Sequence, residues 1–593
     1  MKNEQEEVKD GSVDVTKEQT DNSRSSLTRR RFLGNVGGAA ALGAAAGAIG
    51  LEPIVGSDRS VAQAVEIGPE NAIQRLAKAT GIRIEAALDD AADGIPFHPT
   101  NGDEELYPNK IGTYSKNLKH HPLTGEVVLS SYNAWINALK SGKFSDFEAL
   151  ATNGHFGCSD PTRQRRLVNP FAGYAFELET KDSHQFRIPA APKFASAEEA
   201  GEMVELYWMA LLRDVNFNDY DTSPLAAAAA ADLSNLSDFR GPKQGGVVTT
   251  QTLFRDDLPG ATVGPYISQF LLKDAPYGAQ RVDQRIATVA AGVNFMTDFA
   301  SWLDVQNGCQ PTATLTPGGL FFCRNGRDLG QYVHIDALYQ AYQVATLILL
   351  SLGSPWDQNN PYGQTPDGGA GGPLPVGTPG SKSMTAFGTF GGPYILALVC
   401  EVSFRALKSI WFQKWLVHRR LRPEEFGGRV EVERLGRADY PIHPDLFNST
   451  VLGSVFSQQG SHLLPMAFPE GSPMHTSYGA GHATVAGACV TILKAFFDET
   501  AVIPSPVQTN SDGSATEPFI GPPLTVGGEL NKVASNIATG RNIAGVHWRT
   551  DGIESLRLGE AVAISLLKNQ RATYREPFNG FKLTKFDGTT ITV

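Results

Sequence analysis

The sequence predicts a mainly α-helical protein, built of helix bundles with few short strands. Three observations carry that expectation. From residue 195 onwards, long segments repeat apolar side chains at helical spacing; runs with strand alternation are scarce; and the longest Gly/Pro-rich stretch falls between two such helical segments. Residues 65–190 show a mixed pattern punctuated by Pro, Gly and His. Ala195–Asn216 is the first clear amphipathic helix, followed by Gln284–Leu303, His334–Leu352, Tyr394–Leu421, Ala483–Phe497 and Ile553–Asn569. The Ala226–Ala231 run is strong helix or packing material. Gly246–Phe254 and the tail Phe581–Val593 are the best strand candidates. Gly353–Gly392, rich in Gly and Pro, reads as a lid, a binding loop or an oligomer contact, with an exposed linker as the alternative. Both flanks look like parts of one bundle, so no domain boundary is placed there.

With 41% hydrophobic and 19% charged residues, the chain is globular in composition. Its net charge of -11 excludes a nucleic-acid partner that would require a basic surface. Thr28-Arg29-Arg30-Arg31-Phe32-Leu33 precedes a small, weakly apolar run, Gly34–Leu51, and Ala62-Gln63-Ala64 offers small residues at the positions a signal peptidase reads. This resembles a twin-arginine export signal, so residues 1–64 are read as leader and 65–593 as the mature domain, periplasmic or extracellular. The apolar run is too rich in Gly and Ala to span a membrane, and the mature chain is expected to carry no span. The five cysteines leave at least one free thiol. Cys309 and Cys323 flank a Pro/Gly-rich loop and are candidates to pair, whereas Cys400 and Cys489 read as buried small hydrophobes.

Three short segments combine fixed positive charge with histidine. In residues 411–423, Lys414 lies on a helix that must stop near Arg422, because Pro423 disfavours helical geometry before it. Eight residues of helix separate the two side chains by about 80°, a gap that a terminal kink closes. In residues 475–482, a glycine-bracketed turn carries His475 and leads through Gly481 and His482 into an apolar helix, whose first N–H groups favour an oxyanion. In residues 540–551, Arg541 precedes His547 by six and Asp551 follows it by four. A helix beginning near Gly545 would place Asp551 on the face of His547 and set its tautomer. Each segment alone has a plain structural explanation. Together they read as a cage for a tetrahedral oxyanion, with histidines placed for proton transfer.

The order and residues of these segments resemble the superfamily of vanadium haloperoxidases and type-2 acid phosphatases, and within it the bromoperoxidase branch. The eight-residue Lys414–Arg422 step, His475 seven before His482, GRNIAGVHWRTD, and the upstream RDVNFNDYDTSPL and YVHIDALYQAY segments carry the resemblance, which covers most of residues 100–570. It implies a fold of helix bundles and a vanadate cofactor held by His547 as metal ligand. Lys414, Arg422, Arg541 and the Gly481 N–H would neutralise the anion's oxygens. His482 would be the acid–base group, and His475 would tune it and the halide site. Trp411 is a lesser halide-pocket candidate, with a core tryptophan as the alternative. The implied reaction is oxidation of bromide or iodide by hydrogen peroxide to hypohalous acid, which halogenates a small organic acceptor; the alternative is an exported phosphatase using the same cage with a histidine nucleophile. Relatives form homo-oligomers, and some bind calcium, for which no Asp-rich loop speaks here. One departure stands out: Ala480 replaces the family serine and removes one hydroxyl donor.

Overall fold

The computed structural model describes residues 68–364 and 380–593, and it is mainly helical. The leader read at residues 1–64 lies outside the described residues, as does the middle of the Gly353–Gly392 segment. Among the described residues, 68–92 and the chain from 93 to 593 form two separate units. The first contributes helix α1 (Ala72–Ala92).

In the second unit the α-helices of eight residues or more are α2 (Leu129–Ser141), α3 (Phe144–Thr152), α4 (Ala197–Leu211), α5 (Pro224–Ser234), α6 (Phe299–Gln306), α7 (Gly326–Ile335), α8 (Gln340–Ser351) and α9 (Gly392–Phe412). They continue with α10 (Pro423–Arg434), α11 (Val451–Gln459), α12 (Gly481–Phe496), α13 (Val526–Ile543) and α14 (Arg549–Arg571). The strands form four antiparallel two-stranded pieces: β1 (Ala275–Tyr277) with β2 (Gln280–Val282), β3 (Ile286–Val289) with β4 (Pro317–Phe321), β5 (Val507–Thr509) with β6 (Thr516–Pro518), and β7 (Lys582–Thr584) with β8 (Thr590–Thr592). Among the described residues, no helix is long and apolar enough to cross a membrane.

α12 is the axis of the core. Every residue of it except His482 is buried, and α9, α13 and α14 pack around it. Its contact with α14 is close because Gly487 and Gly559 face the opposite backbone; a Cβ on Gly559 would meet Thr484 O, and one on Gly487 would meet Leu556 O. A helix apolar on all sides belongs at such a centre, and its N-terminus then becomes a buried donor site.

Several expected elements differ. Gln284–Leu303 is not one helix. Its β-branched start pairs as β3, Gly292 turns the chain at φ 77°, and α6 begins only after the Asp298 cap. His334–Leu352 is broken at Asp336, which is extended, so two helices result. Gly246–Phe254 forms turns, with Gly245 and Gly246 at positive φ. The tail does form the β7–β8 hairpin. Helices α10 and α13 were not anticipated. Cys309 pairs with Cys158, not Cys323, because the chain around Gln164 lies against Cys309 while Cys323 is drawn inward before α7. Cys489 is buried as expected; Cys400 is only half-buried.

Candidate functional site

The three histidine-bearing segments meet at one cavity of about 440 Å³, which His475, Gly481, His482, Arg541 and His547 line together with Trp411. Lys414 and Arg422 stand immediately behind this lining, both with no exposed surface.

The start of α12 delivers Gly481 and His482 as sequence spacing implies, whereas the other two segments deliver their residues differently. α9 ends at Phe412, and Lys414 sits in a single π turn, Gln413–His418. Arg419 at φ 44° reverses the chain, and Arg422 arrives as the N-cap residue of α10. Arg541 is in the last turn of α13, Gly481 is the first residue of α12, and His482 follows it. His547 precedes α14, which begins at Arg549 and not near Gly545. Asp551 therefore reaches His547 as the capping carboxylate of α14, not across a shared helix face. Its Oδ2 lies 2.8 Å from His547 Nδ1 and accepts from Trp548 N at 3.2 Å and Ser477 Oγ at 2.5 Å, while Oδ1 accepts from Arg420 at 2.9 Å.

That arrangement defines the imidazole. The carboxylate accepts a hydrogen bond from Nδ1–H, so Nε2 presents its lone pair, and Arg422 donates toward it at 3.0 Å. Burial, then the nearby Arg422, Lys414 and Arg541, hold His547 well below the ordinary histidine range. Burial, then Lys414 and Arg422, do the same to His475. His475 packs its ring 4.9 Å from that of Trp411. Lys414 is depressed well below the usual lysine range by burial and then by Arg422. Arg541 is lowered to about 10, first by burial. The site thus concentrates mutually repelling cations inside an acidic protein.

His482 is one-fifth exposed, and its Nε2 lies 3.0 Å from Asp336 Oδ1. Asp336 was not singled out in sequence, although the YVHIDALYQAY segment contains it; only the break between α7 and α8 turns its carboxylate to the cavity. Arg420 is buried among Glu199, Glu202 and Asp551. His334 Nε2 and Glu470 Oε1 meet at 2.6 Å on the cavity wall.

The donor set fits a tetrahedral oxyanion. Arg541 Nε is buried without a hydrogen-bond partner, three cationic side chains converge, the first-turn N–H groups of α12 have no intrahelical acceptor, and His547 presents an Nε2 lone pair that Arg422 faces at 3.0 Å. Ala480 is the N-cap residue of α12 and supplies no side-chain cap.

Fold and site together define a helical-bundle protein with a histidine-centred oxyanion cage at a helix N-terminus. A family model described as the VCPO second helical-bundle domain matches residues 452–576, the part that holds His475, His482, Arg541 and His547. The vanadium-dependent bromoperoxidase of Corallina pilulifera is 36% identical, covering 88% of this chain and all of that protein, and its counterpart from Ascophyllum nodosum is 34% identical over 83% and 87%. The homohexameric structure of the second vanadate-dependent bromoperoxidase of Ascophyllum nodosum superposes with a TM-score of 0.80 at 29% identity, covering 90% of this chain and 93% of that one. The chain belongs to the family of vanadium-dependent bromoperoxidases.

Proposed function

We propose that this chain binds vanadate and uses hydrogen peroxide to oxidise bromide or iodide to hypohalous acid, which halogenates small organic acceptors. The observation that carries the reading is His547: one nitrogen is fixed by Asp551 and the other presents its lone pair toward Arg422, amid Lys414, Arg541 and the start of α12. In this reading His547 is the metal ligand, the three cations and the Gly481 N–H neutralise the anion's oxygens, and His482 accepts a proton from hydrogen peroxide. Asp336 orients His482 for that transfer. His475 and Trp411 face the cavity where a halide would approach. Bound vanadate supplies a Lewis acid that keeps its oxidation state while polarising the oxidant. The reaction consumes one hydrogen peroxide, one halide and one proton, and yields hypohalous acid and water. The phosphatase alternative uses the same cage but is not favoured, because relatives matched over most of the chain are bromoperoxidases.

Purified protein assayed with and without vanadate for peroxide-dependent bromination and for phosphate-ester hydrolysis tests the proposal. Vanadate-dependent bromination is expected; robust ester hydrolysis without halogenation would overturn it. Homo-oligomerisation, in keeping with the homohexameric relative, and export by the twin-arginine segment belong to the same proposal. Light scattering and a reporter fusion of residues 1–64 check them. Among the described residues, no group of three or more His, Cys, Asp or Glu is placed to hold a metal ion such as calcium.

A further inference from the structure

Five cavity-lining residues, Phe468, Glu470, Gly471, Pro473 and His475, belong to one irregular segment, residues 468–475. Such a segment has no ladder to satisfy its carbonyls, so other donors must do so. Backbone N–H groups satisfy Phe468, Pro473 and Met474, and cationic side chains satisfy Glu470, Ser472 and His475. Arg422 Nε donates to His475 O at 2.9 Å and Arg165 to Glu470 O at 3.0 Å. Lys414 Nζ holds the next carbonyls, those of Thr476 and Ser477, at 2.8 and 2.9 Å. Lys116 Nζ donates to Glu470 O at 3.0 Å, to Ser472 O at 2.7 Å and to the carboxylate of Glu424.

Lys116 stands apart from the others. Like Lys414 and Arg422 it is buried behind the cavity lining, but its carboxylate partner Glu424 is fully buried with it, and its three ammonium protons already have three acceptors. Glu424, at the start of α10, accepts the Ser472 N–H with its other oxygen at 2.7 Å and is braced by Trp302 and Gln306 of α6. Lys414 and Arg422, by contrast, are the cations proposed above for the oxyanion. A cation that turns its donors to an anion withdraws them from the segment, so a wall held by those two alone would shift whenever the site filled. We infer that Lys116 and Glu424 are a positioning pair that holds the 468–475 wall, and His475 with it, independently of the cations that face the anion. The inference rests on the proposed assignment of Lys414 and Arg422.

Because one partner left alone would be an unpaired buried charge, the informative variant joins Lys116→Met with Glu424→Gln. In the vanadate-loaded, full-length protein, KM for bromide should rise about tenfold while the vanadate Kd stays within about twofold of the parent. Hydrogen exchange of the peptide spanning residues 468–477 should quicken in the same variant. An unchanged bromide KM would overturn the pair's role, as would a vanadate Kd that rises in step with it, since that marks general support of the fold. If the double variant does not fold, Gly471→Ala serves: at φ 61° its methyl would run into the Glu424 carboxylate and push the wall with both charges in place. The same rise in KM is expected there, and no change would again overturn the inference. If the parent protein itself fails to turn over bromide, the proposed function falls instead, and the exchange measurement judges the pair by itself.

Discussion

At the scale of single residues, the site is governed by how much positive charge it concentrates out of water. Burial and mutual repulsion depress Lys414, His475 and His547 in the anion-free protein. A bound oxyanion reverses the repulsion and raises Lys414 and His475, so binding takes up protons, while His547 as the ligand keeps its Nε2 unprotonated. Affinity is then full at low pH and lost as pH rises through the raised, bound-state values. Calorimetry with sulfate, which does not titrate near neutrality, in two buffers of different ionisation enthalpy should show net proton uptake; proton release would contradict the charge assignment. His547→Ala should abolish vanadate-dependent bromination. Asp551→Asn, which removes the acceptor that orients Nδ1, should weaken vanadate binding by about 10- to 100-fold. Ala480→Ser adds a hydroxyl at the N-cap of α12, and a charge-assisted hydrogen bond of about 1.5–3 kcal/mol would tighten vanadate binding correspondingly, as equilibrium dialysis can measure.

Elements matter through where they end. Gly481 and His482 start α12, Asp551 caps the start of α14, and Arg541 closes α13, so the cage is assembled from helix termini. The α12–α14 crossing sets their separation. Gly487→Ala or Gly559→Ala would force a methyl against the opposite backbone, costing about 1–3 kcal/mol and displacing Gly481 from His547. Chemical denaturation should show the loss, accompanied by weaker vanadate binding; a variant with lowered stability and unchanged binding would uncouple the crossing from the site. The positions of Lys414 and Arg422 illustrate the limit of periodicity. The step and the proline were visible, but the π turn and the reversal at Arg419 were not, because a 3.6-residue pattern does not encode where a helix loosens.

For the whole molecule, stability depends also on groups that do not line the cavity. His120 and His418 are buried and pushed down to about 3, chiefly by burial. They stay neutral in the fold, while the unfolded chain protonates them near the ordinary value. Their contribution is therefore complete above about pH 6.5 and is lost at roughly 1.4 kcal/mol per histidine per pH unit as pH falls toward 3. Denaturation midpoints measured between about pH 7 and pH 4 should fall accordingly. The Cys158–Cys309 bridge closes a loop across 151 residues, so a reductant or Cys158→Ser should lower stability by up to about 5 kcal/mol.

Read alone, the sequence determined the mainly helical class, the apolar identity of α12 and the three segments that bear histidine and fixed charge. These depend on local pattern, since period, proline and glycine act within a few residues. Tertiary structure alone decided that the segments converge on one cavity and that Asp336 faces His482. It also decided that Asp551 meets His547 as a helix cap, and that Cys158, not Cys323, pairs with Cys309. Contacts such as Lys116 with Ser472 join positions more than 300 residues apart, and no local rule reaches that far. Which buried charges face one another follows from how helix ends pack, and packing is a property of the assembled core.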